Sequence, residues 1–221
     1  MTMHSLRKAF GLPLALGASV LLAAAWLFGE IAEDVVNHDL PLGTIDANVA
    51  AWLHAHATSA GAAVMSVISD FGAPLTDIAI ASLVALILLW RHARYWLLAL
   101  VLAVAGGALL NIIIKHLIHR QRPIFEDPIL TLTSYSFPSG HAMGSTLLYG
   151  MLAAIVIGHT RDWRLHALAT VCASSVVAMI CFSRIYLGVH YLSDVIAGFL
   201  AGVVWLGACL VAVAALYRRR V

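Results

Sequence analysis

The stretch YWLLALVLAVAGGALLNIII, Tyr95 to Ile114, runs for 20 residues without a charged side chain. Wound as a helix at about 1.5 Å per residue, it measures about 30 Å, the thickness of a bilayer's hydrocarbon core. Hydrocarbon offers no partner to a free backbone N–H or C=O, so such a run must close its own hydrogen bonds as an α-helix. It lacks the alternation that marks a strand of a membrane barrel. Five further apolar runs flank it: Ala9 to Phe28, Leu75 to Trp90, Ala142 to Ile157, Leu165 to Phe182 and Val195 to Tyr217. The second is short, yet each is long enough to cross. The expectation is an all-α protein, an integral membrane bundle of six transmembrane helices forming a single domain over residues 1–221.

Composition points the same way. The 221 residues are 62% hydrophobic and 11% charged, against roughly half and a quarter in soluble domains, which excludes an ordinary soluble globule. Thirteen Lys and Arg against 11 Asp and Glu leave a formal charge of +2, too little to suggest a nucleic-acid partner. Cys172, Cys181 and Cys209 fall inside apolar runs without metal-ligand spacing and read as small core residues. The first apolar run follows Arg7 and Lys8 and exceeds the roughly 7–15 residues of a cleavable leader, so it reads as an anchor.

Loop charges give an orientation, because Lys and Arg concentrate on the cytoplasmic side. With the N-terminus inside, that side collects Arg7, Lys8, Arg91, Arg94, Arg161, Arg164, Arg218, Arg219 and Arg220, nine of the 13 basic residues. Both termini are then cytoplasmic. Lys115, Arg120, Arg122 and Arg184 fall on the outer side, where topology alone disfavours cations. Between Glu30 and Gly72 lies the longest polar connection, with six acids (Glu30, Glu33, Asp34, Asp39, Asp46 and Asp70) and no Lys or Arg. Val49, Trp52 and Leu53 lie near one helical face within it, consistent with a short helix at the interface or packed in the loop.

Three outer segments hold most of the chemistry. In Lys115-His-Leu-Ile-His-Arg-Gln-Arg122-Pro123, positions 115, 119 and 122 share a face if the helix continues, so that a Lys and an Arg point together toward an anion. Headgroup anchoring by snorkelling is the plainer account of such cations taken alone. In Ser136-Phe-Pro-Ser139-Gly140-His141, Ser139 is placed to cap the fourth apolar helix, whose free amides cradle phosphate oxygens and whose glycine admits close approach. In Ser183-Arg184-Ile-Tyr-Leu-Gly-Val-His190-Tyr-Leu-Ser-Asp194, the last two named residues stand one helical turn apart. A carboxylate there fixes the tautomer of the imidazole and leaves its other nitrogen free as base or nucleophile. Each segment alone has a structural explanation, but all three lie on one membrane face, where ionisable groups in a bundle mark function.

Taken together, the spacing of Lys115, Arg122 and Pro123, then Pro138-Ser139-Gly140-His141, then Ser183, Arg184, His190 and Asp194 resembles the three-part signature of the type 2 phosphatidic acid phosphatase family, the lipid phosphate phosphatases. The signature spans 115–194 and is complete. The resemblance implies that His190 attacks phosphorus to give a phosphohistidine, that Asp194 orients it, and that His141 protonates the leaving oxygen. It further implies that Lys115, Arg122, Arg184, Ser139 and Gly140 hold the phosphoryl oxygens, with neither a metal nor another cofactor. His116, His119, Arg120 and Tyr135 are secondary candidates for headgroup contact.

Physical chemistry is compatible with those roles. Phosphoryl transfer spreads negative charge over the equatorial oxygens, and fixed cations aimed there lower the barrier. Glu126 and Asp127 stand beside Pro128 without a third acid at ligand spacing, a poor magnesium site. The implied partners are the bilayer and a lipid phosphate or pyrophosphate, with undecaprenyl diphosphate ahead of phosphatidylglycerol phosphate and phosphatidic acid. The site is expected on the periplasmic or exterior face of the cell membrane, and the oligomeric state is not legible. Two competing classes are an intramembrane serine hydrolase using Ser139 and a catalytically silent lipid-binding or transport protein. The first leaves the converging cations unexplained, and the second is at odds with the presence of both His190 and Asp194.

Overall fold

The computed structural model describes the backbone of residues 3–130 and 132–218, and the side chains of residues 17–130 and 132–217. Among these there are eight α-helices and no strand: α1 Met3–Val36, α2 Leu40–Ala55, α3 Ser59–Asp70, α4 Pro74–Trp90, α5 Arg94–Ile118, α6 Gly140–His159, α7 Trp163–Tyr186 and α8 Leu192–Arg218. Five stretches of the described residues are long and apolar enough to cross a membrane: Ser59–Trp90, Arg94–Ile118, Gly140–His159, Trp163–Tyr186 and Leu192–Tyr217. The sixth expected span falls on α1, where only the backbone is described before Gly17. Arg219 and Arg220, counted with the cytoplasmic cations, lie outside the described residues.

The region from Glu30 to Gly72 departs from expectation. Instead of a polar loop it is helical almost throughout, because α1 continues to Val36 and both α2 and α3 follow. Its acids hide a content of strong helix formers, including Ala47, Ala50, Ala51, Ala55, Ala60, Ala62 and Ala63. Thr58 caps α3 by accepting the Gly61 N–H at 3.0 Å. The short run from Leu75 is extended backward by α3, with a break at residues 71–73 just before Pro74 opens α4. Val49 and Leu53 of α2 pack on Ala142, Ile185 and Val195, while Trp52 remains exposed.

At the centre stands α6, with Ala142, Met143, Ser145, Thr146, Leu147, Leu148 and Met151 buried. Helix α8 comes against it along a Gly198…Gly202 seam. A Cβ on Gly198 would lie 2.6 Å from the Ser139 carbonyl oxygen, and one on Gly202 would lie 2.8 Å from the Thr146 Cβ. Small residues at such a seam let two backbones approach where lipid supplies no hydrophobic drive for helices to associate. This contact draws the start of α8 onto the start of α6. The residues of the three outer segments thereby gather at one end of the bundle.

Candidate active site

Helix α5 stops at Ile118, and His119 ends it with φ 53°, its N–H bonded to the Lys115 carbonyl at 3.0 Å. The shared helical face expected for residues 115, 119 and 122 therefore does not exist. Lys115 and Arg122 still converge, because the chain folds back and both donate to the Tyr135 carbonyl, at 2.5 and 3.2 Å. Lys115 also donates to the Ser136 carbonyl at 3.3 Å. Arg122 is locked by the carbonyls of Ser134 and Val189 at 2.6 and 2.5 Å. Burial lowers its pKa from the ordinary arginine value, against the pull of Asp194.

Ser139 takes the capping role expected of it: fully buried, it accepts the Ala142 N–H at 3.4 Å and donates its own N–H to the Asp194 carbonyl at 2.9 Å. A buried hydroxyl committed to a cap is a poor nucleophile, which weighs against the serine-hydrolase reading. Gly140 opens α6 beside Asn111, whose Nδ2 donates to the Pro138 carbonyl at 3.3 Å. His141 follows, partly exposed, with Arg184, His190, Arg122 and Lys115 around it.

His190 lies two residues before α8, and its Nδ1 is 3.4 Å from Asp194 Oδ2. Ser136 donates to that same carboxylate oxygen, and the Tyr191 N–H reaches it at 2.9 Å, so the acid three residues into α8 caps its own helix as well. On the other side of the ring, Arg122 Nη1 approaches Nε2 at 3.1 Å. A guanidinium only donates, so Nε2 presents a lone pair and Nδ1 carries the proton toward Asp194. Burial drives the His190 pKa down to about 4; Asp194 opposes this and the charges of Arg122 and Arg184 reinforce it. The ring is neutral at physiological pH, with one nitrogen available for attack.

Arg184 is 2% exposed, and one of its nitrogens, Nη1, donates to Ser69 at the end of α3. Its Nε and Nη2 are buried without a partner. Leaving charged donors unpaired is costly, and a pair of parallel N–H groups matches two oxygens of a phosphoryl group.

Several residues of the site went unassigned in the sequence. Ser136 bridges to Asp194, Ser69 holds Arg184, and Asp46 of α2, together with Ser193, meets Arg120. The secondary candidates divide. Arg120 donates to Asp194 Oδ1 at 2.6 Å, Ser193 Oγ at 2.7 Å and Asp46 Oδ2 at 2.7 Å. Burial works against its charge, but the two carboxylates outweigh that and raise its pKa. His116 bonds the Ile112 carbonyl, and Tyr135 is packed edge-on by both His116 and His119. Nothing in the sequence set Asp46 apart from the other five acids of its stretch; its ion pair with Arg120 appears only in the folded chain.

Comparison with known proteins identifies the family. The family model described as PAP2 superfamily matches residues 94–218. Phosphatidylglycerophosphatase B of Bacillus subtilis is 35% identical over 113 residues, which span 50% of this chain and 55% of that protein. Decaprenylphosphoryl-5-phosphoribose phosphatase of Mycobacterium tuberculosis is 34% identical over 140 residues, 61% of this chain and 71% of that protein. In fold, the chain superposes on the crystal structure of the PAP2 type phosphatidylglycerolphosphate phosphatase from Bacillus subtilis with a TM-score of 0.80 at 23% identity, over 90% of this chain and 96% of that one. With a family match over more than half its length, the chain belongs to the PAP2 superfamily and is a membrane phosphatase.

Proposed function

We propose that this protein hydrolyses a lipid phosphate or pyrophosphate through a phosphohistidine on His190. One observation carries the reading: the His190 ring is held between Asp194 at Nδ1 and the donor-only guanidinium of Arg122 at Nε2, an arrangement that suits a ring with its lone pair on Nε2. A phosphoryl group entering beside Nε2 displaces the Arg122 contact and takes up that donor, together with Nε and Nη2 of Arg184. Nε2 then bonds to phosphorus as the bond from phosphorus to the lipid oxygen breaks, and His141 delivers a proton to that oxygen. Water next gives a proton to His141 as its oxygen bonds to phosphorus and the bond from phosphorus to Nε2 breaks, releasing phosphate and restoring both imidazoles. Lys115, Ser139 and the Gly140 amide complete the cradle for the equatorial oxygens.

Beside the site, a cavity of about 300 Å³ is lined by Arg120, Arg122, Phe125, Tyr135 and Val189 among others, and gives room for the part of the headgroup that leaves. The tail lies in the bilayer between helices. Undecaprenyl diphosphate is the first substrate to test, since a relative that covers a large share of the chain acts on a decaprenyl lipid; phosphatidylglycerol phosphate and phosphatidic acid come next. In the cell membrane, the site faces the periplasm or exterior and both termini face the cytoplasm, as the distribution of basic residues indicates.

The test is phosphate release from a panel of these lipids by purified protein in detergent, with ³²P-substrate trapping alongside. Wild-type protein is expected to take up acid-labile label, His190→Ala to lose both label and turnover, and Ser139→Ala to keep part of each. Turnover in His190→Ala, or equal abolition by Ser139→Ala, would overturn the mechanism.

A further inference from the structure

Outside the three signature segments, one buried group connects through Arg120 to the attacking residue's partner. Asp46 is 1% exposed, in the middle of α2. Its Oδ1 accepts the Ser193 N–H at 3.0 Å, and its Oδ2 accepts both the Ser193 hydroxyl and Arg120 Nη2, the latter at 2.7 Å. Through Nη1, Arg120 reaches Asp194 Oδ1 at 2.6 Å. The two oxygens of Asp194 thus divide their work. Oδ2 serves His190, Ser136 and the Tyr191 N–H, while Oδ1 is held by Arg120.

We propose that Asp46 and Arg120 are positioning residues for the reaction, a clamp from α2 that fixes the Asp194 carboxylate against His190. The inference rests on His190 as the attacking group. Asp194 is fully buried, so without Arg120 its Oδ1 is an unpaired charged oxygen free to turn toward other donors, and the His190 tautomer loses its reference. Charge makes the second half of the case. Asp46, Arg120 and Asp194 sum to one negative charge, which faces a ring that is neutral before attack and becomes cationic on binding phosphorus. Removing Asp46 cancels that charge; removing Arg120 doubles it. The other charged or titratable groups facing His190 are Arg122 of the loop after α5, Arg184 of α7, His141 of α6 and Lys115 of α5, and these stay unchanged.

The experiment compares Asp46→Asn, Arg120→Gln and Arg120→Lys in the full-length protein in detergent. The readouts are kcat, KM, the acid limb of kcat/KM and the rate of ³²P uptake onto the protein. Asp46→Asn is expected to lower kcat and label uptake about tenfold at unchanged KM, with an acid limb no higher than wild type. Arg120→Gln is expected to lose about 100-fold in kcat and to raise the acid limb by about half a pH unit or more. Arg120→Lys keeps the charge but bridges poorly, so it regains part of the rate and returns the limb to its wild-type position. Wild-type kcat in the variants, or acid limbs that do not separate by charge, would overturn the clamp. If Asp46→Asn gives no folded protein, Arg120→Gln against Arg120→Lys decides by itself. A failed phosphohistidine reading shows separately, as wild-type protein that turns over without acid-labile label.

Discussion

Lowering the pH tests the state of His190 directly. An unperturbed imidazole with a pKa of about 6.5 would be only about 9% neutral at pH 5.5. Burial of the ring, with Arg122 and Arg184 nearby, places His190 at about 4 instead, which leaves about 97% neutral at the same pH. The sign is fixed by which form attacks: the neutral ring persists above about pH 4 and is lost as pH falls through that value. Between pH 7.5 and 5.5 the His190 contribution to kcat/KM is therefore expected to change by a few per cent, where a solvated imidazole would lose about tenfold. Phosphate monoesters themselves titrate near about pH 6, so the kinetic profile is paired with ¹⁵N NMR of detergent-solubilised protein, the His190 resonances being those absent from His190→Ala. A titration midpoint near 6.5 would refute the reasoning, because it would mean that the ring is solvated or that Asp194 outweighs burial.

Arg184→Lys keeps the charge and removes the fork. Each bond from Nε and Nη2 to a phosphoryl oxygen is worth about 1.5–3 kcal/mol, and a lysine can supply one of the two, so inhibition by inorganic phosphate should weaken about 10- to 150-fold. An unchanged inhibition constant would place the anion elsewhere. For orientation, a single cysteine near Arg122 is expected to react with an impermeant thiol reagent applied to intact cells, and one near Arg161 only after lysis; the reverse pattern would invert the topology.

Much of the chemistry was legible because it is local. The Ser139 cap and the one-turn relation of His190 to Asp194 each follow from short-range spacing, and the structure places Lys115, Arg122 and Arg184 at the same end of the bundle. The helical face assumed for residues 115, 119 and 122 shows where local reasoning failed. Helix α5 ends at Ile118, and Arg122 enters the site only because the Tyr135 carbonyl is there to receive it together with Lys115. Between Glu30 and Gly72 the short helix read around Val49, Trp52 and Leu53 is part of α2, but acidic composition concealed the full length of α2 and the whole of α3, since frequent alanines outweighed scattered charges.

Ser69 and Asp46 were out of reach for a different reason. Each meets its partner across more than 70 residues of chain, Ser69 at Arg184 and Asp46 at Arg120. Periodicity and spacing carry no information over such separations. The sequence by itself determined a helical membrane protein, the segments that carry charge, and the family signature they share, because hydrocarbon forces helices and because capping and helical turns act over a few residues. Only the tertiary structure decided which nitrogen of His190 is free, which donors of Arg184 remain open, and that Arg120 bridges Asp46 to Asp194. Those outcomes depend on which buried groups find partners, and that is settled only when the Gly198…Gly202 seam draws α8 onto α6 and α2 folds over the end of the bundle.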